Sequence, residues 1–113
     1  MTVPFGGNIP AIDVTAVPDD GYLLDVREQD EWVAGHAPHA VHIPLGTLGE
    51  RAQEIPADRD VYVVCRSGGR SAQATQALNQ AGWKATNVSG GMHAWEAAAR
   101  PMVSETGGPA TVA

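Results

Sequence analysis

The chain has 113 residues, the length of one domain, and its 43% hydrophobic and 18% charged residues suit a globular protein with a single core. Thirteen acidic against seven basic residues leave a net charge of −6, which excludes broad electrostatic attraction to nucleic acid or an anionic membrane surface. No apolar run approaches the roughly 20 residues needed to cross a bilayer.

Short β-branched runs alternate with longer helical patterns. Residues before about Ile9 carry no pattern and read as a flexible tail. Tyr22-Leu23-Leu24-Asp25-Val26 follows the turn signal Asp19-Asp20-Gly21 and reads as a strand. Glu28 to Ala34 reads as a helix with Glu28, Asp30 and Glu31 favouring its amino-terminal dipole, closed by Gly35. Val41-His42-Ile43 is a second strand, and a weaker helical stretch covers about Leu45 to Glu54.

Val61-Tyr62-Val63-Val64 is the clearest strand, apolar enough to be buried on both faces of a parallel sheet. Ser71 to Ala81 is the clearest helix, with Ala74, Ala77, Leu78 and Ala81 at helical spacing. Ala85-Thr86-Asn87-Val88 gives a further strand and Met92 to Ala99 a last helix, stopped by Arg100-Pro101. Thr106 to Thr111 has no periodicity. The expected architecture is a single α/β domain over residues 9–101, between flexible tails at 1–8 and 104–113. Its core is a mostly parallel sheet of about five short strands with helices on both faces.

In such sheets ligands bind beyond the carboxyl ends of the strands. Cys65 stands there, at the end of the central strand, followed by Arg66-Ser67-Gly68-Gly69-Arg70-Ser71 and a helix. A thiol is nucleophilic only as its thiolate, and three features favour that form. The sulfur precedes a helix amino terminus, Arg66 and Arg70 lie within five positions, and Gly68 with Gly69 lets backbone N–H groups converge as an anion nest. Ser67 and Ser71 add hydroxyl donors. The same cradle suits an anionic substrate group. A strand-end cysteine is ordinarily a small buried hydrophobe, with glycines that merely turn the chain; the R-S-G-G-R-S run before a helix favours the reactive reading.

Cys65 is the sole cysteine, so neither an intrachain disulfide nor a dithiol pair is available, and a multi-cysteine zinc site is excluded. With no secretion-signal pattern at the amino end, a cytoplasmic location is expected. His36, His39 and His42 recur every third residue but straddle a loop and a short strand, so no metal site is assigned. A pairing of His36 or His93 with Cys65 is unnecessary if the cradle alone supplies the thiolate. Trp32, Trp83 and Trp95 read as packing residues.

Four segments in order carry a resemblance: Leu23-Leu24-Asp25-Val26-Arg27-Glu28, Gly35 to Pro44, the Cys65 loop, and Gly90-Gly91-Met92-His93-Ala94-Trp95. Over about Ile9 to Pro101 the chain resembles the single-domain rhodaneses, the thiosulfate sulfurtransferases. The resemblance implies a sulfurtransferase in which Cys65 carries sulfane sulfur as a persulfide. The sulfur would pass from a small anionic donor such as thiosulfate to cyanide, a thiol or an acceptor protein in a sulfur relay, without cofactor or metal. Arg66, Ser67, Gly68, Gly69, Arg70 and Ser71 would hold the donor and the persulfide. Asp25 and Arg27 would form an internal charged network, and His36 would tie two connections together.

Two alternatives share the fold. One is a non-catalytic or regulatory binding module, for which an intact cysteine and two arginines are unneeded. The other is a phosphatase or arsenate reductase, disfavoured because related phosphatases space cysteine and arginine by five residues where Cys65 and Arg70 bracket four, and because no second thiol is present.

Overall fold

The computed structural model describes residues 9–113. Five strands form one sheet: β1 (Ala11–Asp13), β2 (Tyr22–Asp25), β3 (Val41–His42), β4 (Asp60–Val64) and β5 (Lys84–Ser89). They lie in the order β1-β5-β4-β2-β3, and every neighbouring pair is parallel. Central β4 is held on both sides, with Val63 level with Leu24 of β2 and with Asn87 of β5.

The alternation of β4 sorts the core into two layers. Val61, Val63 and Cys65 face one side, packed with Leu24, Ile43, Leu48, Ala74 and Leu78. Here lie α2 (Leu48–Arg51) and α3 (Gly69–Gln80), and the indole of Trp83 covers the cluster and donates to the Ile55 carbonyl at 2.9 Å. Val64 turns to the other side and meets Leu23, Val88, Met92 and Trp95, the last two from α4 (Gly91–Ala97). Trp95 stays buried while its ring nitrogen donates to the Pro101 carbonyl and Arg100 stacks over its ring at 4.3 Å. Helical elements on both faces of a parallel sheet match the expected fold class.

At the end of β2, Asp25 and, two residues on, Arg27 are both fully buried. The Arg27 guanidinium forks onto the Asp25 carboxylate at 2.7–3.1 Å and also donates to the Gly35 carbonyl at 2.7 Å. This is the internal network expected of the pair, locking the strand end to the start of the following connection. A further helix, α1 (Gln29–Ala34), begins with a reciprocal cap in which the Glu31 carboxylate accepts the Glu28 N–H at 2.9 Å.

The structure departs from the sequence reading in three places. Strand β1 has no apolar run to announce it, being three residues at the sheet edge. The stretch from Leu45 to Glu54 breaks into a 3-10 turn, the single α-turn of α2 and a second 3-10 turn, because Gly46 and Gly49 weaken any continuous helix.

The segment after Pro101, which includes the 104–113 stretch expected to be a flexible tail, has partners. His36 and Val103 exchange both backbone hydrogen bonds, at 2.9 and 2.8 Å, and the N–H groups of Glu105 and Thr111 reach the Val33 and Ala34 carbonyls. Met102 and Val112 pack on the second core layer. This anchoring rests on backbone bonds to a distant connection, which side-chain periodicity does not report. The expectation for residues 1–8 lies outside the described residues.

Candidate active site

The sulfur of Cys65 sits at the carboxyl end of β4 between two unlike surroundings. Below, the side chain closes the apolar layer of Val63 and Ala74. Above, Sγ accepts the Gly68 N–H at 3.1 Å and faces the Ser71 hydroxyl at 3.3 Å. Only 1% of the residue reaches solvent. Burial pushes the thiol up, but the Ser71 hydroxyl and the amides of Ser71, Gly68 and Ser67 outweigh it, so the thiol ionises below its ordinary range. Donors aimed at one sulfur favour its anion.

Two helix starts shape this loop. Gly68 has φ +119°, a left-handed conformation that turns the chain into α3 and aims its own N–H at the sulfur. Gly69, paired with it in the sequence reading, lies inside α3 without a left-handed backbone. Behind the loop, the N–H groups of Met92 and His93 at the start of α4 donate to the carbonyls of Cys65 and Arg66, at 2.8 and 3.0 Å. With these carbonyls drawn backward, the loop can present amides to the sulfur. Gly91 permits that approach: its φ is +58°, and a Cβ there would collide with the Cys65 and Arg66 carbonyl oxygens.

Both loop arginines already have partners. The Arg70 guanidinium forks onto Glu31, at 2.6 and 2.8 Å. The Arg70 hydrogen bonds hold the Glu31 carboxyl at about 2 despite partial burial, and Glu31 in turn raises Arg70 further above its usual value. Arg66 is exposed and donates through Nε to the Ala113 carbonyl at 2.8 Å. Ser67 is exposed, whereas Ser71 is fully buried.

Sequence reasoning passed over two neighbours of the loop. Glu31 was counted only as a dipole partner of its own helix. Asn87, near the end of β5, accepts from Ser71 Oγ at 2.6 Å and donates to the Gly68 carbonyl at 3.4 Å. Its position in a half-polar strand gave no signal.

The histidines point elsewhere. His36 is buried, with its ring nitrogens 2.9 Å from the Ala37 carbonyl and 2.7 Å from the Glu105 carboxylate, so it ties the α1–β3 connection to the carboxyl-terminal segment. His42 Nε2 lies 2.8 Å from the Arg27 carbonyl, and His39 is exposed. Trp32 stacks between His36 and His42, at centroid distances of 3.5 and 4.7 Å. His93 is exposed on α4, with its backbone bonded to the loop.

A family profile described as "Rhodanese-like domain" matches residues 12–98. YtwF of Bacillus subtilis is 42% identical over 80 residues, covering 71% of this chain and 78% of its own. A protein of Allochromatium vinosum named sulfurtransferase is 40% identical over 90 residues, covering 79% and 84%. Among solved structures, a rhodanese-related protein of Thermoplasma volcanium superposes with a TM-score of 0.79 at 30% identity, over 83% of this chain and 97% of that one.

Proposed function

The chain belongs to the rhodanese-like domain family, and from that premise we propose that it is a sulfurtransferase carrying sulfane sulfur on Cys65. The observation that supports this most directly is the Sγ atom itself, at a sheet terminus among donors from Gly68 and Ser71. That environment favours a thiolate and suits a negatively charged sulfur chain.

With thiosulfate as donor, the Cys65 thiolate attacks the outer sulfur. A new S–S bond forms, the bond to the sulfonate sulfur breaks, and its electron pair leaves with sulfite. Cys65 is left as the persulfide anion. Cyanide or a thiolate then attacks the outer sulfur, departs as thiocyanate or a new persulfide, and returns Cys65 as thiolate. Charge and sulfur balance in both halves without a redox partner. The loop amides hold the terminal sulfur, and the Glu31-oriented Arg70 faces the charge of the departing sulfite, with Arg66 adding attraction at the loop surface.

No metal or organic cofactor enters this cycle. Because no second thiol exists in the chain, the acceptor comes from outside, as a small thiol, as cyanide, or as a protein in a sulfur relay. We place the reaction in the cytoplasm, where a lone thiol stays reduced. Among the described residues no helix is long and apolar enough to cross a membrane.

The test is intact mass after incubation with thiosulfate, free of reductant. The expected result is a gain of about 32 Da that is absent in Cys65→Ala and is discharged by cyanide. Given the 1% exposure of Cys65, this measurement also reads access to the sulfur. A folded protein that gains no sulfur from thiosulfate or from a small organic persulfide overturns the proposal.

A further inference from the structure

Ser71 carries a single hydroxyl hydrogen and faces three acceptors: Cys65 Sγ at 3.3 Å, the Gly68 carbonyl at 3.2 Å and Asn87 Oδ1 at 2.6 Å. It serves one of them well at a time. The Gly68 carbonyl is already supplied by the Ala72 N–H at 3.0 Å. The contest is therefore between the sulfur and Asn87. With Asn87 Oδ1 toward Ser71, the amide oxygen at 2.6 Å competes for the hydrogen that Ser71 also offers the sulfur at 3.3 Å, and whenever the oxygen takes it the sulfur meets a hydroxyl lone pair. That chain, S–H to Oγ and O–H to Oδ1, suits a neutral thiol.

Turning the Asn87 amide half way round reverses it. Nδ2 then donates to Ser71 Oγ, the hydroxyl hydrogen swings to the sulfur, and the chain ends on a thiolate. The turn gives up the 3.4 Å bond from Nδ2 to the Gly68 carbonyl and brings Oδ1 toward that carbonyl oxygen, a cost that the new bond from Nδ2 to Ser71 Oγ and the stronger donation to the thiolate offset. We propose that Asn87 is a positioning residue that acts through Ser71, its amide orientation setting the direction of the hydrogen-bond chain into Cys65 Sγ and so the charge state the site holds. The inference rests on Cys65 as the reacting atom, but not on which donor loads it. When negative charge moves to the outer sulfur of a persulfide, the inner sulfur no longer needs the hydroxyl hydrogen and the chain reverts. Asn87 would thus follow the cycle from the end of β5 without touching substrate.

The charged groups around the chain are Arg70 of α3 with Glu31 of α1, Arg66 on the loop and, at the end of β2, Asp25 with Arg27. His93 and Glu96 are the titratable side chains on α4. Among the described residues none of these hydrogen-bonds to the side chain of Ser71 or Asn87.

The experiment follows alkylation of Cys65 by iodoacetamide across pH, read by intact mass, which requires no sulfur transfer. In Asn87→Asp the carboxylate can only accept and pins the hydroxyl hydrogen. The midpoint should rise by about one pH unit or more, and in a Ser71→Ala background the same substitution should move it less than half as far. In the wild-type protein, the Asn87 side-chain amide resonances should shift in step with Cys65 ionisation, and in Ser71→Ala they should not. Equal midpoint shifts in both backgrounds would mean that charge alone acts, and would overturn the proposal. So would Asn87 resonances indifferent to pH across the midpoint, a reading available even if the Asp variant fails to fold. Normal alkylation behaviour with no sulfur loading would instead overturn the sulfurtransferase reading and leave this one standing.

Discussion

Two helices begin beside the same loop, and they begin alike. α3 and α4 are each preceded by a left-handed glycine, Gly68 at φ +119° and Gly90 at +78°, and neither has a side-chain cap. Their first amides meet different fates. At α4 the N–H groups of Met92 and His93 are spent on carbonyls of the Cys65 loop. At α3 the Gly68 N–H faces the thiol, a group that can become an anion. The comparison teaches that an uncapped helix start becomes a site only where its donors face something other than backbone. The closed start of α4 is what leaves the open start of α3 properly aimed.

The sharpest way to break that relation is Gly91→Ala. Its Cβ would meet the Arg66 carbonyl oxygen at 2.6 Å and the Arg66 carbonyl carbon at 2.7 Å, both rigid backbone, at a φ that L-residues adopt with strain. The expected cost is about 2–4 kcal/mol, from overpacking plus the left-handed penalty, measured by urea unfolding. Cys65 alkylation near neutral pH should slow as the loop carbonyls are pushed toward the sulfur. A variant as stable and reactive as the wild type would show that α4 does not set the loop.

A smaller effect is expected where charge, and not backbone, steadies the loop. Glu31 holds Arg70 from another element, and its carboxyl titrates at about 2, below the ordinary 4.5, chiefly because of the Arg70 hydrogen bonds. A depressed carboxyl stabilises the fold above its unfolded value and loses that contribution as pH falls through its folded one. Glu31→Gln should therefore cost about 1 kcal/mol at pH 7, since the pair is partly hydrated. The gap to wild type should narrow from about pH 5 and close near pH 2. Urea midpoints for both proteins at pH 7, 4 and 2.5 check this, and a gap constant across that range would mean that the ion pair is not its source.

What could be read in the sequence follows from distance along the chain. Val61 to Val64 and the alanine-spaced helix after it are local patterns, so the strand and α3 were legible, and with them the loop between. Cys65, Gly68 and Ser71 interact within six residues, so the cradle was legible too. Glu31 reaches Arg70 across 39 positions and Asn87 reaches Ser71 across 16. No periodicity links such residues; the crossover topology brings them together. The same holds for Glu105 and His36, 69 positions apart, which turn an aperiodic carboxyl-terminal stretch into an anchored one. Strand β1 was missed because three residues at an edge carry too little alternation to separate from a turn.

The smallest expected effect separates the two glycines of the loop. Read together, Gly68 and Gly69 both serve to let the chain curl. In the structure only Gly68 has the left-handed backbone, while a Cβ on Gly69 would meet nothing within 4 Å. Gly69 is the first residue of α3, where a side chain restricts the unfolded chain more than it disturbs the helix. Gly69→Ala should leave stability unchanged or raise it by about 0.5 kcal/mol, with the Cys65 alkylation midpoint unmoved, since the amides acting on the sulfur belong to Ser67, Gly68 and Ser71. Gly68→Ala brings a Cβ only into ordinary contact with the Gly90 nitrogen, at 3.6 Å, but does so at φ +119°, so a loss there reports mainly on backbone conformation. If Gly69→Ala raises the midpoint as Gly68→Ala does, the cradle depends on freedom at both positions, and the division of labour between the turn and the helix start is wrong.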